Sequence, residues 1–411
     1  MPPNRASSLV GSTACGAVLA LAACGGGGGD DGSSPPPSSA LFVDASATHL
    51  PPGAGDGACM DAQALDFDGD GDLDLVLAIE FGINLVLSND GTGHFAVASA
   101  GMLATGADHE DIALADLDGD GDLDLAFAAE DTQVHELYLD QGASFLGAQL
   151  GPTSEANAVV AFDLDADGDL DLVFGGQGLL VLLNDGSAGF SVDAPGRFPA
   201  EAGVVQDLVA IDVDGDADLD LALGNEGQNQ LFLNQGGGAF SDATATHLPA
   251  VIDETRVLAF ADVDRDGDLD LFVGNVHQEM VGAAGQDFLY ANDGRGVFAA
   301  LPALPAPGGF GTYGGRFVDF DVDGDPDLVT GSADILDATD LGSFRLYRND
   351  GTGLLVDISD LAFGAEVREH GFGVAAGDLD GDLDIDLYLC SRGASAGGVR
   401  YGHADHLMLQ R

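Results

Sequence analysis

The sequence predicts an all-β fold, a seven-bladed β-propeller with four-stranded blades, on three observations. Aspartates at alternating positions recur in a nine-residue loop beginning at Asp66, Asp116, Asp163, Asp212, Asp262, Asp319 and Asp378, spaced by 50, 47, 49, 50, 57 and 59 residues. Apolar residues alternate with period two after each loop, with no helical periodicity. The two ends of the chain complement one another, so the first strand supplies what the last repeat lacks.

Each repeat opens on a small apolar run, such as Ala113-Leu114-Ala115 or Val257-Leu258-Ala259-Phe260, and then enters the aspartate loop. The alternation after the loop is a second strand. A third apolar run ends in a turn, as in Leu85-Val86-Leu87-Ser88-Asn89-Asp90-Gly91 or Leu346-Tyr347-Arg348-Asn349-Asp350-Gly351. Asn-Asp-Gly tolerates positive φ and closes a hairpin onto a short fourth strand such as Gly93-His94-Phe95. The chain stops at Leu407-Met408-Leu409-Gln410-Arg411, which aligns with the third strand of the fourth repeat, Leu231-Phe232-Leu233-Asn234-Gln235. Residues 41–51 match 239–249, a fourth strand and its exit, at eight of eleven positions. The N-terminal strand is therefore expected to complete the last blade and to protect both sheet edges.

The net charge is −58, from 70 Asp and Glu against 12 basic residues, all arginine, which excludes nucleic acid and anionic membrane surfaces as electrostatic partners. Low hydrophobicity cannot be invoked for disorder, because 45% of the residues are hydrophobic and 22 are Phe. Near the N-terminus, Arg5 precedes a weakly apolar stretch from Val10 to Ala23, too short to span a bilayer. It ends in Leu21-Ala22-Ala23-Cys24, which resembles the lipobox of bacterial lipoproteins, with Cys24 as the lipidated residue. Residues 1–23 are thus expected to be a signal peptide, 24–40 a lipidated Gly/Ser/Pro tether, and 41–411 the propeller, held at the bacterial cell envelope, at the outer membrane or cell surface.

The loops carry the clearest chemistry. Positions 1, 3, 5, 7 and 9 are Asp in all of them: Asp66, Asp68, Asp70, Asp72 and Asp74 in the first and Asp116, Asp118, Asp120, Asp122 and Asp124 in the second. The third has Asp163, Asp165, Asp167, Asp169 and Asp171, and the fourth Asp212, Asp214, Asp216, Asp218 and Asp220. The fifth has Asp262, Asp264, Asp266, Asp268 and Asp270, the sixth Asp319, Asp321, Asp323, Asp325 and Asp327, and the seventh Asp378, Asp380, Asp382, Asp384 and Asp386. Such crowding is electrostatically costly without a hard cation, and oxygen-only ligands favour Ca²⁺ over zinc. Side chains at 1, 3 and 5, a backbone carbonyl at 7 and the carboxylate at 9 would form the shell. An EF-hand needs Glu at position 12, where these loops carry Leu77, Phe127, Phe174, Leu223, Val273, Thr330 and Leu389.

The loops, with Gly371-Phe372-Gly373-Val374-Ala375-Ala376-Gly377-Asp378-Leu379-Asp380-Gly381-Asp382, resemble the FG-GAP/VCBS repeats of integrin alpha-chain propellers and of bacterial exported proteins. The resemblance covers residues 41–411 and implies a propeller with calcium between strands one and two of each blade. Two departures weaken sites four and seven: Ala217 and Leu383 replace the position-6 glycine, where positive φ costs about 1–2 kcal/mol. The family's Gly-Ala-Pro element is replaced by Gly224-Asn225, Gly274-Asn275 and Gly331-Ser332.

Function is expected on the face opposite these loops, where connections 275–287, 332–343 and 391–406 lengthen. Arg256, Arg316, Arg368, Arg392 and Arg400 gather there with Tyr313, Tyr401, His109, His370, His403 and His406, which suits a glycan or protein ligand of anionic character. A ligand-binding or adhesion module is the first reading, a calcium-dependent polysaccharide lyase or hydrolase the second, and a purely structural module the third. No nucleophile elbow, HExxH, P-loop or GxGxxG fingerprint stands in a strand-to-helix context, which weighs against an enzyme. Cys59 and Cys390 fall in the first and last repeats, neighbours in a closed ring, where a disulfide would staple the closure.

Overall fold

In every repeat the alternating residues after the aspartate loop pair back, antiparallel, on the apolar run before it: Ala58–Leu65 with Asp74–Glu80 in the first, Gly371–Gly377 with Asp386–Ser391 in the seventh. The computed structural model describes residues 40–411 except 55–57, 99–106, 131–134, 143, 202, 277–284, 303, 305–310, 334–341, 365–366, 368–369, 393–394, 397–398 and 401–404, with backbone alone at 395–396 and 399–400. Among the described residues the strands form five four-stranded sheets, one eight-stranded sheet and one two-stranded ladder. The eight-stranded sheet joins repeats four and five, because Glu226, Gly227 and Gln228 extend the second strand of one onto Glu254, Asp253 and Ile252 of the next. Among the described residues the chain is all-β save for short helical turns at Ser46–His49, Thr244–His247 and Ser359–Phe363.

The terminal strands meet as their sequences require. Phe42, Val43 and Asp44 pair with Gln410, Leu409 and Met408, so Phe42–Asp44 is the fourth strand of the sheet that holds the last repeat. The likeness of 41–51 to 239–249 extends to structure: each strand runs into a four-residue helical turn, Ser46–His49 and Thr244–His247.

The core is divided between neighbours. Leu65, Val76 and Val86 of the first repeat pack with Ile112, Leu125 and Tyr138 of the second, and Val209, Leu231 and Ala222 of the fourth with Leu258, Phe260 and Val273 of the fifth. Leu75, Leu77 and Leu87 of the first repeat pack with Phe372, Tyr388 and Leu407 of the seventh, so the same kind of interface joins the ends of the chain. There Cys59 and Cys390 face one another with Cα atoms 5.0 Å apart. Gly373 lies at the same junction, where a Cβ would come 2.7 Å from the Cα of Asp61, so only glycine lets the two inner strands approach.

Candidate functional site

The aspartate loops are wound by their own side chains. Asp66 accepts the amides of Gly69 at 2.9 Å and Gly71 at 3.1 Å, and Asp70 accepts that of Asp72 at 3.0 Å. Loops four and seven keep this geometry despite Ala217 and Leu383, whose amides reach Asp212 and Asp378 at 3.0 and 3.1 Å, and both residues take φ of 74°. Position 4 is left-handed as well, in Ala166, Arg265 and Val322 at φ of 63°, 61° and 55° and in the glycines elsewhere, a demand the sequence reading missed.

The position-9 aspartate has a second task. Its two oxygens accept the amide of loop position 2 and an amide of the third strand: Asp74 from Phe67 and Asn89, Asp270 from Val263 and Asn292, Asp386 from Leu379 and Gln410. It is therefore buried and locks the loop to its sheet. Carboxylate oxygens of Asp116, Asp118 and Asp124, and of Asp212, Asp214 and Asp220, still lie within 4.8 Å of one another, as do those of Asp66, Asp68 and Asp70. Burial and then the adjacent Asp120 push Asp118 up, and Asp216 and Asp266 do the same to Asp214 and Asp264. Hard oxygen donors that repel one another round a point fit a calcium ion, which would offset that repulsion. In loops five and six Arg265 pairs with Asp325 and donates to the carbonyl of Asp323, so a cation already bridges these two.

At the opposite end every inner strand carries a register slip, between Cys59 and Asp61, His109 and Asp111, Ala156 and Ala158, Val205 and Asp207, Thr255 and Val257, Thr312 and Gly314, and Gly371 and Val374. A bulge re-aims a side chain. The slipped residues Met60, Glu110, Asn157, Gln206, Arg256 and Tyr313, with Phe372 of the last repeat, all line one axial cavity of about 370 Å³. The ends of second strands add Glu80, Glu130 and Arg392, and Phe81 stands at the lining with φ of 53°. Arg256 lies 5.8 Å over the Tyr313 ring and Arg392 5.7 Å over Phe372.

A family model for the FG-GAP-like repeat matches residues 66–127, 163–223, 212–273 and 330–389, more than half of the chain. The chain belongs to the FG-GAP-like repeat family. No curated protein sequence matches it. The FG-GAP-like chain is similar in fold to BBS1N, solved in complex with ARL6DN and soaked with mercury, with a TM-score of 0.56 and 14% identity over 90% of this chain and 97% of that one. It is similar also to YCF48 from Cyanidioschyzon merolae, with a TM-score of 0.54 and 11% identity over 90% and 99% of the two chains. YCF48 bound to D1 peptide gives 0.54 and 11% over 92% and 98%. These likenesses, with the family match, make the protein an FG-GAP repeat β-propeller.

Of the residues expected on the ligand face, Arg256, Tyr313 and Arg392 converge in the cavity of this FG-GAP-like propeller. Arg316 does not line it; it donates to Gln63 Oε1 at 3.0 Å. His370 and His109 are buried, the latter edge-on to Phe127, and His406 Nδ1 sits 2.9 Å from Asp44 Oδ2, so these imidazoles serve packing and closure rather than a binding surface. Arg368, Tyr401, His403 and Cys24 lie outside the described residues, as do the side chain of Arg400 and most of the three long connections. The described lining weighs against the expected anionic preference. Arg256 is paired with Glu254 at 2.7 Å and Arg392 with Glu80, and carboxylates outnumber arginines in the cavity.

Met60, Glu110, Asn157, Gln206 and Phe372 were missed. A signal existed: each lies six residues before the first aspartate of its loop, as Arg256 and Tyr313 do, and the residue type differs in every repeat. Variation at a fixed position of an otherwise uniform repeat marks where the copies diverge in chemistry.

Proposed function

We propose that the FG-GAP-like repeats close as a seven-bladed propeller and that the protein is an exported, calcium-stabilised ligand-binding or adhesion module of the bacterial cell envelope, tethered through a lipid on Cys24. Its ligand is a glycan or a protein, held at the end opposite the aspartate loops. Reading the halves of the eight-stranded sheet as two blades and the Phe42–Asp44 sheet as the last supports the count.

The observation that carries this reading is the contrast between the two ends. The loop end repeats one chemistry, as an ion-stabilised scaffold would, whereas the cavity end places seven unlike side chains round one axis. A concave site with convergent polar groups is the usual form of a ligand pocket. Binding of partners by structural neighbours, ARL6DN by BBS1N and the D1 peptide by YCF48, accords with a binding role.

Glycan-array and pull-down measurements with the full chain in millimolar calcium test it. Retained ligand that is lost in Tyr313→Ala is expected; ligand retained equally by that variant would move the binding face elsewhere. Partition of the Cys24→Ser variant into the membrane fraction, like the unmodified chain, would remove the lipid anchor.

A further inference from the structure

We propose that the axial cavity recognises an organic ammonium: a small ligand with a protonated amine, an apolar or aromatic body and further hydrogen-bond donors. The proposal rests on reading this end of the propeller as the ligand face and names the chemistry that the face selects.

The lining is divided into two arcs. Tyr313, Phe372 and Met60 come from repeats six, seven and one, which are consecutive round the ring, and the Tyr313 and Phe372 rings contact one another with centroids 4.8 Å apart. Glu110, Asn157 and Gln206 come from repeats two, three and four and face that apolar arc across the axis.

Among the described residues the lining holds more carboxylates than guanidiniums. Asp108, Glu110 and Glu130 each place a carboxylate oxygen within 4.8 Å of the others. Of the lining arginines, Arg392 is engaged by Glu80 and Arg256 by Glu254, with a weaker attraction to Glu110. Asn157 and Gln206, 9% and 7% exposed, add a separate observation. Their amide nitrogens donate to the carbonyl of Val205 at 2.9 Å and to Glu226 Oε1 at 2.8 Å, while Asn157 Oδ1 and Gln206 Oε1 meet no donor. A buried acceptor without a donor is costly, and a ligand that brings donors removes the cost. Burial, followed by Asp108, Glu130 and Glu80, pushes the Glu110 carboxyl up to about 8 against the pull of Arg256, and a ligand's cation would oppose that rise further.

A bare metal ion would satisfy the three carboxylates but would fill a small part of about 370 Å³ and leave the aromatic arc without a role. A neutral sugar would satisfy Asn157 and Gln206 but not the charge. An ammonium with an apolar body meets both arcs, since it pairs with carboxylates and is attracted to aromatic faces.

The test is calorimetry on the full chain in excess calcium with two amines, tyramine and glucosamine, each against its uncharged counterpart, tyrosol and N-acetylglucosamine. At least one amine is expected to bind more than tenfold tighter than its counterpart. Glu110→Gln, which keeps the side-chain shape, is expected to weaken it more than tenfold, and Tyr313→Leu to weaken it severalfold. Leu383→Gly, in a loop at the other end, should leave it unchanged. Binding of neither amine, equal binding of amine and counterpart, or undiminished affinity in Glu110→Gln overturns the proposal. So does loss of one bound calcium in that variant without any amine binding. Glycan or protein capture that amines do not compete with and Glu110→Gln does not weaken would overturn this inference alone; absence of any ligand would overturn the reading of the face as well.

Discussion

The Nδ2 of Asn89, at the end of the third strand of the first repeat, donates to the carbonyl of Leu379 in the loop of the seventh at 2.8 Å, across 290 residues of chain. The same nitrogen donates to Leu73 of its own loop at 2.9 Å. Asn184 joins Leu170 to Leu117 of the preceding repeat in the same way, and Asn349 joins Pro326 to Val263. The closing junction is thus held by the device that holds internal ones.

Asn89→Ala should therefore destabilise the ring by about 1–3 kcal/mol, because two buried carbonyls lose their donor. Removing residues 41–50 should do more, leaving His406–Gln410 as an open edge with its apolar face uncovered. Denaturant melts of both are the measurement. A soluble truncation of unchanged stability would mean that the Phe42–Asp44 strand does not close the sheet.

Calcium should raise the melting temperature and EDTA lower it, in proportion to RT ln(1+[Ca²⁺]/Kd) with Kd of about 10⁻⁴–10⁻³ M, the range of extracellular modules. Asp262→Ala should lower it more than Asp378→Ala, since loop seven already carries Leu383 at φ of 74°. Leu383 is 82% exposed, so Leu383→Gly removes the strained backbone at little packing cost and should stabilise by about 1 kcal/mol. Melting curves indifferent to EDTA would remove calcium from the loops.

Cys59 and Cys390 should be disulfide-linked under oxidising conditions, closing a loop of 331 residues at the junction of the first and last repeats. In the chain-entropy account so long a loop gives more than about 4 kcal/mol. Reduction or Cys390→Ser should lower the melting temperature, and two titratable thiols from these positions in the denatured, unreduced protein would rule the bond out.

Stability in excess calcium should have a component that falls as pH rises from about 5 to 8. Asp61 and Asp207 are buried at the inner strands; burial and then Asp111 push both carboxyls up, against the pull of Gln63 and Arg316 on Asp61 and of the Leu258 and Leu208 amides on Asp207. Carboxyls raised in the folded state bind more protons there than in the unfolded chain. Their contribution is complete below about pH 4 and is lost as pH rises through the raised values, at no more than about 1.4 kcal/mol per pH unit per proton. Asp61→Asn should flatten the slope. An unchanged slope in that variant would mean that Asp61 is already ionised.

The sequence by itself determined the repeat, the strand order within it, the aspartate loops and the pairing of the two ends, because period-two alternation, positive-φ turns and a recurrent ligand pattern are local properties that each repeat restates. The match of 41–51 to 239–249 even carried the terminal strand to its partner. Which side chains meet at the axis was decided by the tertiary structure alone. Met60, Glu110, Asn157, Gln206, Arg256 and Tyr313 each sit at a bulge, where a slip of one position turns toward the axis a side chain that strict alternation would place elsewhere, and the repeats must meet round one axis before these residues share a cavity. The arginines illustrate the difference: their clustering was visible in the chain, but whether their charge was available depended on Glu254 beside Arg256 and on Glu80, 312 residues away, beside Arg392.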